Sequence, residues 1–397
     1  MVAIQAVWLH WPETKAVAEA ITPLRFVGGC VRDAILNREV RDVDAATPLP
    51  PEQVTKLLKA AGIKAIPTGI DHGTITAVAG QRHFEITTLR RDVTTDGRHA
   101  TVAYTEDWKE DAARRDFTMN ALYCDPQGQV FDYFSGAADA AAGHVRFIGD
   151  ARARIREDAL RILRFFRFFA HYGKGAADTK GLTACGELAA LIDSLSGERV
   201  AQEMLKLLVA DAASEVVGLM QRHSVWEHIV PAIVKTETLA QLPQTIRKTQ
   251  HTPDALIALA LLLRSVSGGT AALINTIITR WKLSKAQGRR LELLCHDKWQ
   301  AAEDKEWKKQ IRAWGKELFI DRAVIAVCEG AEEAAALAAV KLAREWNIPE
   351  FPVTGDDLIA LGVKPGKELG AKLKTLETAW EEGGYVATAK ELLARLS

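Results

Sequence analysis

A chain of 397 residues, 48% hydrophobic and 26% charged, has enough apolar material for several packed domains and is not a disordered or fibrous sequence. Its 51 basic and 51 acidic side chains cancel, which excludes a polycation holding nucleic acid by bulk charge, so any such contact must come from a local basic surface. Five scattered cysteines with no C-x-x-C pair, no signal-like N-terminus and no apolar run of membrane-spanning length predict a cytoplasmic protein in a reducing compartment, without a disulfide framework or structural zinc.

In chain order, a helix over residues 8–21 should stop before Pro23. Arg25-Phe26-Val27-Gly28-Gly29-Cys30-Val31-Arg32-Asp33 follows and reads as a strand end, a glycine turn and a short helix. Such a turn lets phosphate oxygens approach the backbone, and a helix N-terminus favours anions. Asp42 and Asp44 come next; on one strand they would share a face, because side chains alternate with period 2, and that face can hold hard divalent cations. Taken singly, a glycine pair is also an ordinary turn and D-x-D an ordinary solvated edge.

A helix beginning at Pro50 or Pro51 should stop at Gly62, and residues 63–67, 74–79 and 83–89 alternate as strands, giving a mixed sheet with flanking helices. Glu85 interrupts an apolar, β-branched strand, where it either faces solvent or needs a partner. Residues 90–112, containing Asp96-Gly97-Arg98, are polar and weakly periodic and read as a loop. Arg114-Arg115-Asp116-Phe117-Thr118-Met119-Asn120 brings two guanidinium groups, a carboxylate and an amide to the start of an apolar run, a set able to hold triphosphate and ribose hydroxyls. A hairpin through Tyr123 to Tyr133 should turn at Gln127-Gly128.

Seven arginines between Arg146 and Arg167 stand against Asp150, Glu157 and Asp158. Residues 155–166 read as one helix on which Asp158 and Arg161 share a face. The pair could imitate the edge of a complementary base, or form an intrahelical salt bridge. Helices are then expected over 187–195, 198–210, 213–223, 254–264, 271–281, 287–303, 323–345 and 368–380. Near the C-terminus, amides at Gly366 and Gly370 beside lysines could grip RNA phosphate or simply turn the chain.

Together, G-G-x-V-R-D with D-x-D-x-x-T, R-R-D-F-T-x-N-A, E-D-x-x-R-x-x-R and S-x-E-R-x-x-x-E resemble the class II tRNA nucleotidyltransferase and poly(A) polymerase family of the polymerase beta-like superfamily. The resemblance implies an α+β fold, with a nucleotidyltransferase head over 1–149, a helical neck over 150–212, and a helical body and tail for tRNA binding over 213–397. It implies CCA addition to tRNA from CTP and ATP, with two Mg²⁺ ions held by Asp42 and Asp44 and a third acid at Glu85. Gly28, Gly29, Arg32, Arg115, Asp116 and Asn120 would hold triphosphate and ribose, and Asp158, Arg161 and Arg164 would read the base, with Glu198, Arg199 and Glu203 bracing that helix. The alternatives are an enzyme adding only A or only CC, a bacterial poly(A) polymerase, and a catalytically silent RNA-binding relative. The full-length loop disfavours CC-only addition; this loop, the His72-Gly73-Thr74 turn and the absence of a strongly basic C-terminal extension disfavour a poly(A) polymerase. No membrane or protein partner is implied.

Overall fold

The computed structural model describes residues 3–69, 73–95, 100–266, 270–296 and 299–396; His72 and the Asp96-Gly97-Arg98 stretch lie outside them. The chain divides into two compact units, Met1–Ile233 with Asn275–Leu283, and Val234–Ile274 with Ser284–Ser397.

The first unit begins with α1 (Pro12–Ala20), β1 (Arg25–Val27), α2 (Gly29–Ile35), β2 (Val43–Thr47) and α3 (Pro51–Ala60). Then follow β3 (Lys64–Gly69), β4 (Thr74–Ala79), β5 (Arg82–Thr88), β6 (Arg90–Thr95), β7 (Ala100–Tyr104), α4 (Trp108–Ala113), β8 (Leu122–Cys124) and β9 (Val130–Asp132). Seven of these strands form a mixed sheet ordered β3-β4-β5-β2-β1-β8-β9, in which β2 and β5 run parallel and the other neighbours antiparallel. The expected α+β architecture is therefore found.

The pleat sorts the two faces of this sheet. Phe26, Val43, Ala45, Phe84 and Ile86 pack with Val17 and Ile21 around α1, Val31 of α2, and Val54 and Leu58 of α3 in one apolar cluster. Their neighbours Val27 and Ala46 belong to a second, smaller cluster with Ala112, Ala121, Tyr123 and Ile148. Asp44 and Glu85 alternate with the residues of the first cluster and so stand on the other face. Glu85 is exposed on the strand, as one of its two sequence readings required.

Helices α5 (Gly136–Ala142), α6 (Ala151–Glu157), α7 (Leu160–Tyr172), α8 (Thr179–Glu187), α9 (Gly197–Leu208) and α10 (Ala213–Arg222) continue the chain. Three expectations need correction here. Residues 90–95 and 100–104 are not irregular: β6 and β7 pair antiparallel as a separate two-stranded sheet. The strand expected to hold both aspartates starts at Val43, which leaves Asp42 exposed at its entry. The helix expected over 155–166 is two helices, because Asp158 is extended (φ −153°, ψ 106°) and its Oδ1 accepts the Leu160 amide at the head of α7. A side chain that caps its own backbone competes with helix continuation.

The second unit contains α11 (Glu237–Thr249) and α12 (Ala255–Arg264). After α13 (Thr270–Arg280), which ends in the first unit, it continues with α14 (Lys285–His296), α15 (Asp304–Trp314), α16 (Lys316–Cys328), α17 (Glu333–Glu345), α18 (Gly355–Ala360), α19 (Lys367–Glu382) and α20 (Ala389–Leu393). The helix expected over 323–345 is split at Gly330, whose φ of 96° no helix accommodates. The one expected over 287–303 ends at His296. Gly370 lies inside α19 and its amide donates to the Gly366 carbonyl, so it is not a free phosphate ligand.

One close approach in the first unit is decisive for the site. A Cβ on Gly136 would lie 2.0 Å from the Thr118 carbonyl oxygen, at the short 3₁₀ turn that carries Asn120. Gly136→Ala should therefore displace that turn and destabilise the protein by about 1–3 kcal/mol, measured as a lowered urea midpoint, whereas Gly149→Ala, with nothing within 4 Å, should leave Asn120 in place.

Candidate active site

The open face of the sheet forms one wall of a cleft of about 480 Å³. Asp44 on β2 is the register partner of Glu85 on the parallel neighbour β5, so the two carboxylates stand side by side. Burial is the largest influence on Asp44 and, with the charges of Glu85 and Asp42, pushes its carboxyl up to about 6 against the opposing pull of Arg115. Among the described residues neither Asp44 nor Glu85 has a hydrogen-bond donor or an ion-pair partner, and Asp42 has none either. Uncompensated carboxylates crowded on a partly buried face are a hard-oxygen donor set that suits a divalent cation such as Mg²⁺. No three acidic, histidine or cysteine side chains among the described residues already converge as a complete metal-binding group.

Another part of the wall is cationic: Arg32, Arg90, Arg114, Arg115 and Arg164 all line the cleft. Gly28 makes the turn into α2 with φ of 77°, a conformation suited to glycine. A Cβ there would sit 3.7 Å from Arg115 Nη1. Arg115 itself is held from behind. Its Nε donates to Tyr123 Oη at 3.2 Å and its Nη2 to Asp111 Oδ2 at 3.2 Å, which leaves Nη1 toward the glycine turn.

Asp111 is the hub of this wall. It is 1% exposed, accepts from Arg114 Nε at 2.8 Å and Tyr123 Oη at 2.5 Å, and also receives the Arg90 amide. Burial alone would raise its pKa, but the charges of Arg115 and Arg114, with the Tyr123 hydrogen bond, outweigh burial and hold it at about 2. Sequence reasoning passed over Asp111 and Tyr123. The signal was present: Asp111 lies three and four residues before Arg114 and Arg115, the spacing that brings side chains together on one helical turn.

A second network joins the remaining predicted residues. Asp116 accepts from its neighbour's amide at Phe117, from Asn120 Nδ2 at 3.0 Å and from Arg164 Nε at 2.7 Å. Burial opposes its ionisation, but Arg164 and these hydrogen bonds hold its pKa below the ordinary aspartate range. Arg32 donates to Asn120 Oδ1 at 2.6 Å, to Tyr172 Oη at 2.6 Å and to Asp33 through two bonds of 2.9 Å. Most of its donors are thus committed to bracing, although it lines the cleft.

Nine sequence-predicted residues meet in this cleft: Gly28, Gly29, Arg32, Asp44, Glu85, Arg115, Asp116, Asn120 and Arg164. Asp158 and Arg161 do not form its wall, and their side chains do not pair with each other. Asp158 Oδ2 accepts from Arg199 at 2.8 Å, while Arg161 donates to Glu157 at 2.6 Å and to the Arg114 carbonyl at 3.0 Å. The break at Asp158 removes the shared helical face on which that pairing was expected. Glu203 meets Arg167 at 2.7 Å, whereas Glu198 pairs with Lys282.

Two family profiles match the chain: "Poly A polymerase head domain" over residues 24–146, and "Probable RNA and SrmB- binding site of polymerase A" over residues 178–236. The mitochondrial CCA tRNA nucleotidyltransferase 1 of Mus musculus is 36% identical over 389 residues, 96% of this chain and 88% of that protein. The CCA-adding enzyme of Levilactobacillus brevis is 31% identical over 92% of this chain and 91% of its own length. Among solved structures, that of the Bacillus stearothermophilus CCA-adding enzyme in complex with CTP is similar, with a TM-score of 0.75 at 26% identity, covering 94% of this chain and 93% of that one.

The depressed pKa of Asp111 has a definite sign. Its contribution to stability is complete above the ordinary aspartate pKa near 4 and is lost as pH falls toward 2. Asp111→Asn should therefore lower stability by about 2 kcal/mol at pH 7, and the difference from the unaltered protein should narrow steadily between pH 4 and pH 2 in urea titrations.

Proposed function

The chain belongs to the class II tRNA nucleotidyltransferase and poly(A) polymerase family, and from that premise we propose that it adds C, C and A to the 3′ end of tRNA without a nucleic-acid template, consuming CTP and ATP and releasing pyrophosphate. The observation that carries this reading is the division of one cleft into an acidic wall at Asp44 and Glu85 and a cationic wall built on Arg115. Nucleotidyl transfer needs both: a place for divalent metal beside the attacking oxygen and a place for the triphosphate beyond it.

In the proposed mechanism the RNA 3′-hydroxyl attacks the α-phosphorus of the incoming nucleotide in line with the departing pyrophosphate. Asp42 and Asp44, with Glu85 beside them, would hold the Mg²⁺ ions, whose contribution when bound is to acidify the attacking hydroxyl and neutralise charge on the leaving oxygen. Arg115 offers Nη1 to the triphosphate at the Gly28-Gly29 turn, and Asp111 fixes the plane of its guanidinium group. Asp116 and Asn120, locked together at 3.0 Å, face the ribose. Arg32 acts mainly by holding Asn120 in place.

Base choice is assigned to Asp158 and Arg161, with Arg164 beside them. Arg199 and Glu157 are their partners in the present arrangement, so reading a base edge requires those bonds to be exchanged for bonds to the nucleotide. We retain residues 1–149 as the catalytic head, 150–212 as the neck and 213–397 as the tRNA-binding body and tail. None of the described helices is long and apolar enough to cross a membrane. The five free, buried cysteines fit a reducing compartment such as the cytoplasm.

Purified protein with Mg²⁺, CTP and ATP should add three nucleotides to a tRNA ending at the discriminator base, two to one ending in C and one to one ending in CC. Long A tails would instead identify a poly(A) polymerase, growth only from the CC end an A-adding enzyme, arrest after two additions a CC-adding enzyme, and no growth a silent relative. Asp44→Ala should lower incorporation by on the order of 10³-fold or more while tRNA binding, measured by gel shift, stays within about threefold. Asp158→Ala should raise misincorporation, read by sequencing the extended ends, more than it raises the KM for nucleotide.

A further inference from the structure

A second cavity among the described residues, of about 730 Å³, lies apart from the catalytic cleft. It lies at the other end of β1: Arg25 opens into it, whereas the strand's last residue, Val27, lines the cleft, and the two sites share no wall residue. Its volume suits a small organic ligand.

The wall holds charge that the protein does not satisfy. The Arg25 guanidinium is stacked 3.5 Å from the Phe131 ring centroid and 4.3 Å from that of Trp108, and Nη1 donates to Tyr133 Oη at 3.0 Å. Tyr133 is its one hydrogen-bond acceptor, and no carboxylate pairs with it among the described residues. The guanidinium is thus held by two rings while donors on its edge remain open, an arrangement able to recognise an oxyanion. Lys15, exposed on the same wall, has no ion-pair partner among the described residues either. Independently, Thr14 belongs to this wall, is 1% exposed, and its Oγ1 has no hydrogen-bond partner. Buried hydroxyl groups are ordinarily satisfied, so an orphan beside a cavity with open cationic groups points to a ligand atom or a water held with it. The wall also carries two acids: Asp125, whose Oδ1 accepts the amides of Gln127 and Gln129, and Glu19, which is exposed and can accept from a ligand hydroxyl.

We propose that this cavity binds a small hydroxylated phosphomonoester, its phosphate on Arg25 and Lys15 and its hydroxyls on the polar wall. The site does not depend on the catalytic reading, because Asp44 and the arginines of the cleft take no part in it.

The test is calorimetric titration of the full-length protein with ribose 5-phosphate, inorganic phosphate and citrate, supported by thermal unfolding. Ribose 5-phosphate should bind and should raise Tm by about 3 °C at a concentration ~100-fold above its Kd. Binding should persist in Asp44→Ala, weaken at least about tenfold in Arg25→Gln and several-fold in Lys15→Ala, the exposed position that keeps the test valid should the Arg25 variant fold poorly. No binding by ribose 5-phosphate, or binding unaffected by both Arg25→Gln and Lys15→Ala, would overturn the proposal. Loss of binding in Asp44→Ala would place the probe in the catalytic cleft and overturn it equally. Tighter binding of citrate would overturn the choice of phosphate over carboxylate, and equal binding of inorganic phosphate would overturn recognition of the hydroxylated part.

Discussion

The parallel pairing of β2 with β5 fixes the chemistry of this protein more than any other contact. It sets Asp44 beside Glu85 on a face where neither finds a donor among the described residues, and burial, with the charge of Glu85, raises the Asp44 carboxyl to about 6. Such an arrangement opposes folding in the absence of a cation, because like charges meet on partly desolvated ground. It is tolerated because the reverse face of the same strands carries Val43, Ala45, Phe84 and Ile86 in a continuous apolar core under three helices. A shift of one residue in the register would turn the acids into that core and the apolar residues out of it.

The cationic wall answers the acidic one, and its side chains are held before substrate arrives. Asp111 grips Arg114 and Arg115 directly and through Tyr123; Asp116 grips Arg164 and Asn120; Asn120 in turn holds Arg32. Two buried carboxylates with lowered pKa values thus orient several guanidinium groups that would otherwise sample many rotamers. Orientation achieved during folding need not be achieved again when a triphosphate binds. The same bonds limit what each arginine can offer: Arg115 retains Nη1 for a ligand, whereas Arg32 has become largely a brace.

Much of this was legible in the sequence, and what was missed has physical reasons. Strand alternation and turn glycines located the sheet, and the motifs that resemble the tRNA nucleotidyltransferase family named Asp44, Glu85, Arg115, Asp116 and Asn120, which meet in one cleft. Asp111 escaped because a charged residue before a basic pair reads as a solvated helix turn, and only burial turns it into a hub. The break at Asp158 escaped because the apolar period runs unbroken through it, while the deciding bond, Asp158 Oδ1 to the Leu160 amide, is made by a side chain with its own backbone. The β6–β7 ladder escaped because its residues are too polar to alternate, and its order comes from backbone pairing.

The central claim is that the acidic and cationic walls serve one nucleotide together. The most direct measurement is anomalous diffraction from crystals of the protein soaked with CTP and Mn²⁺ in place of Mg²⁺. Manganese peaks are expected at Asp44 and Glu85, with the triphosphate extending past Gly28 to Arg115. Manganese bound elsewhere, or a triphosphate seated away from Arg115, would contradict it.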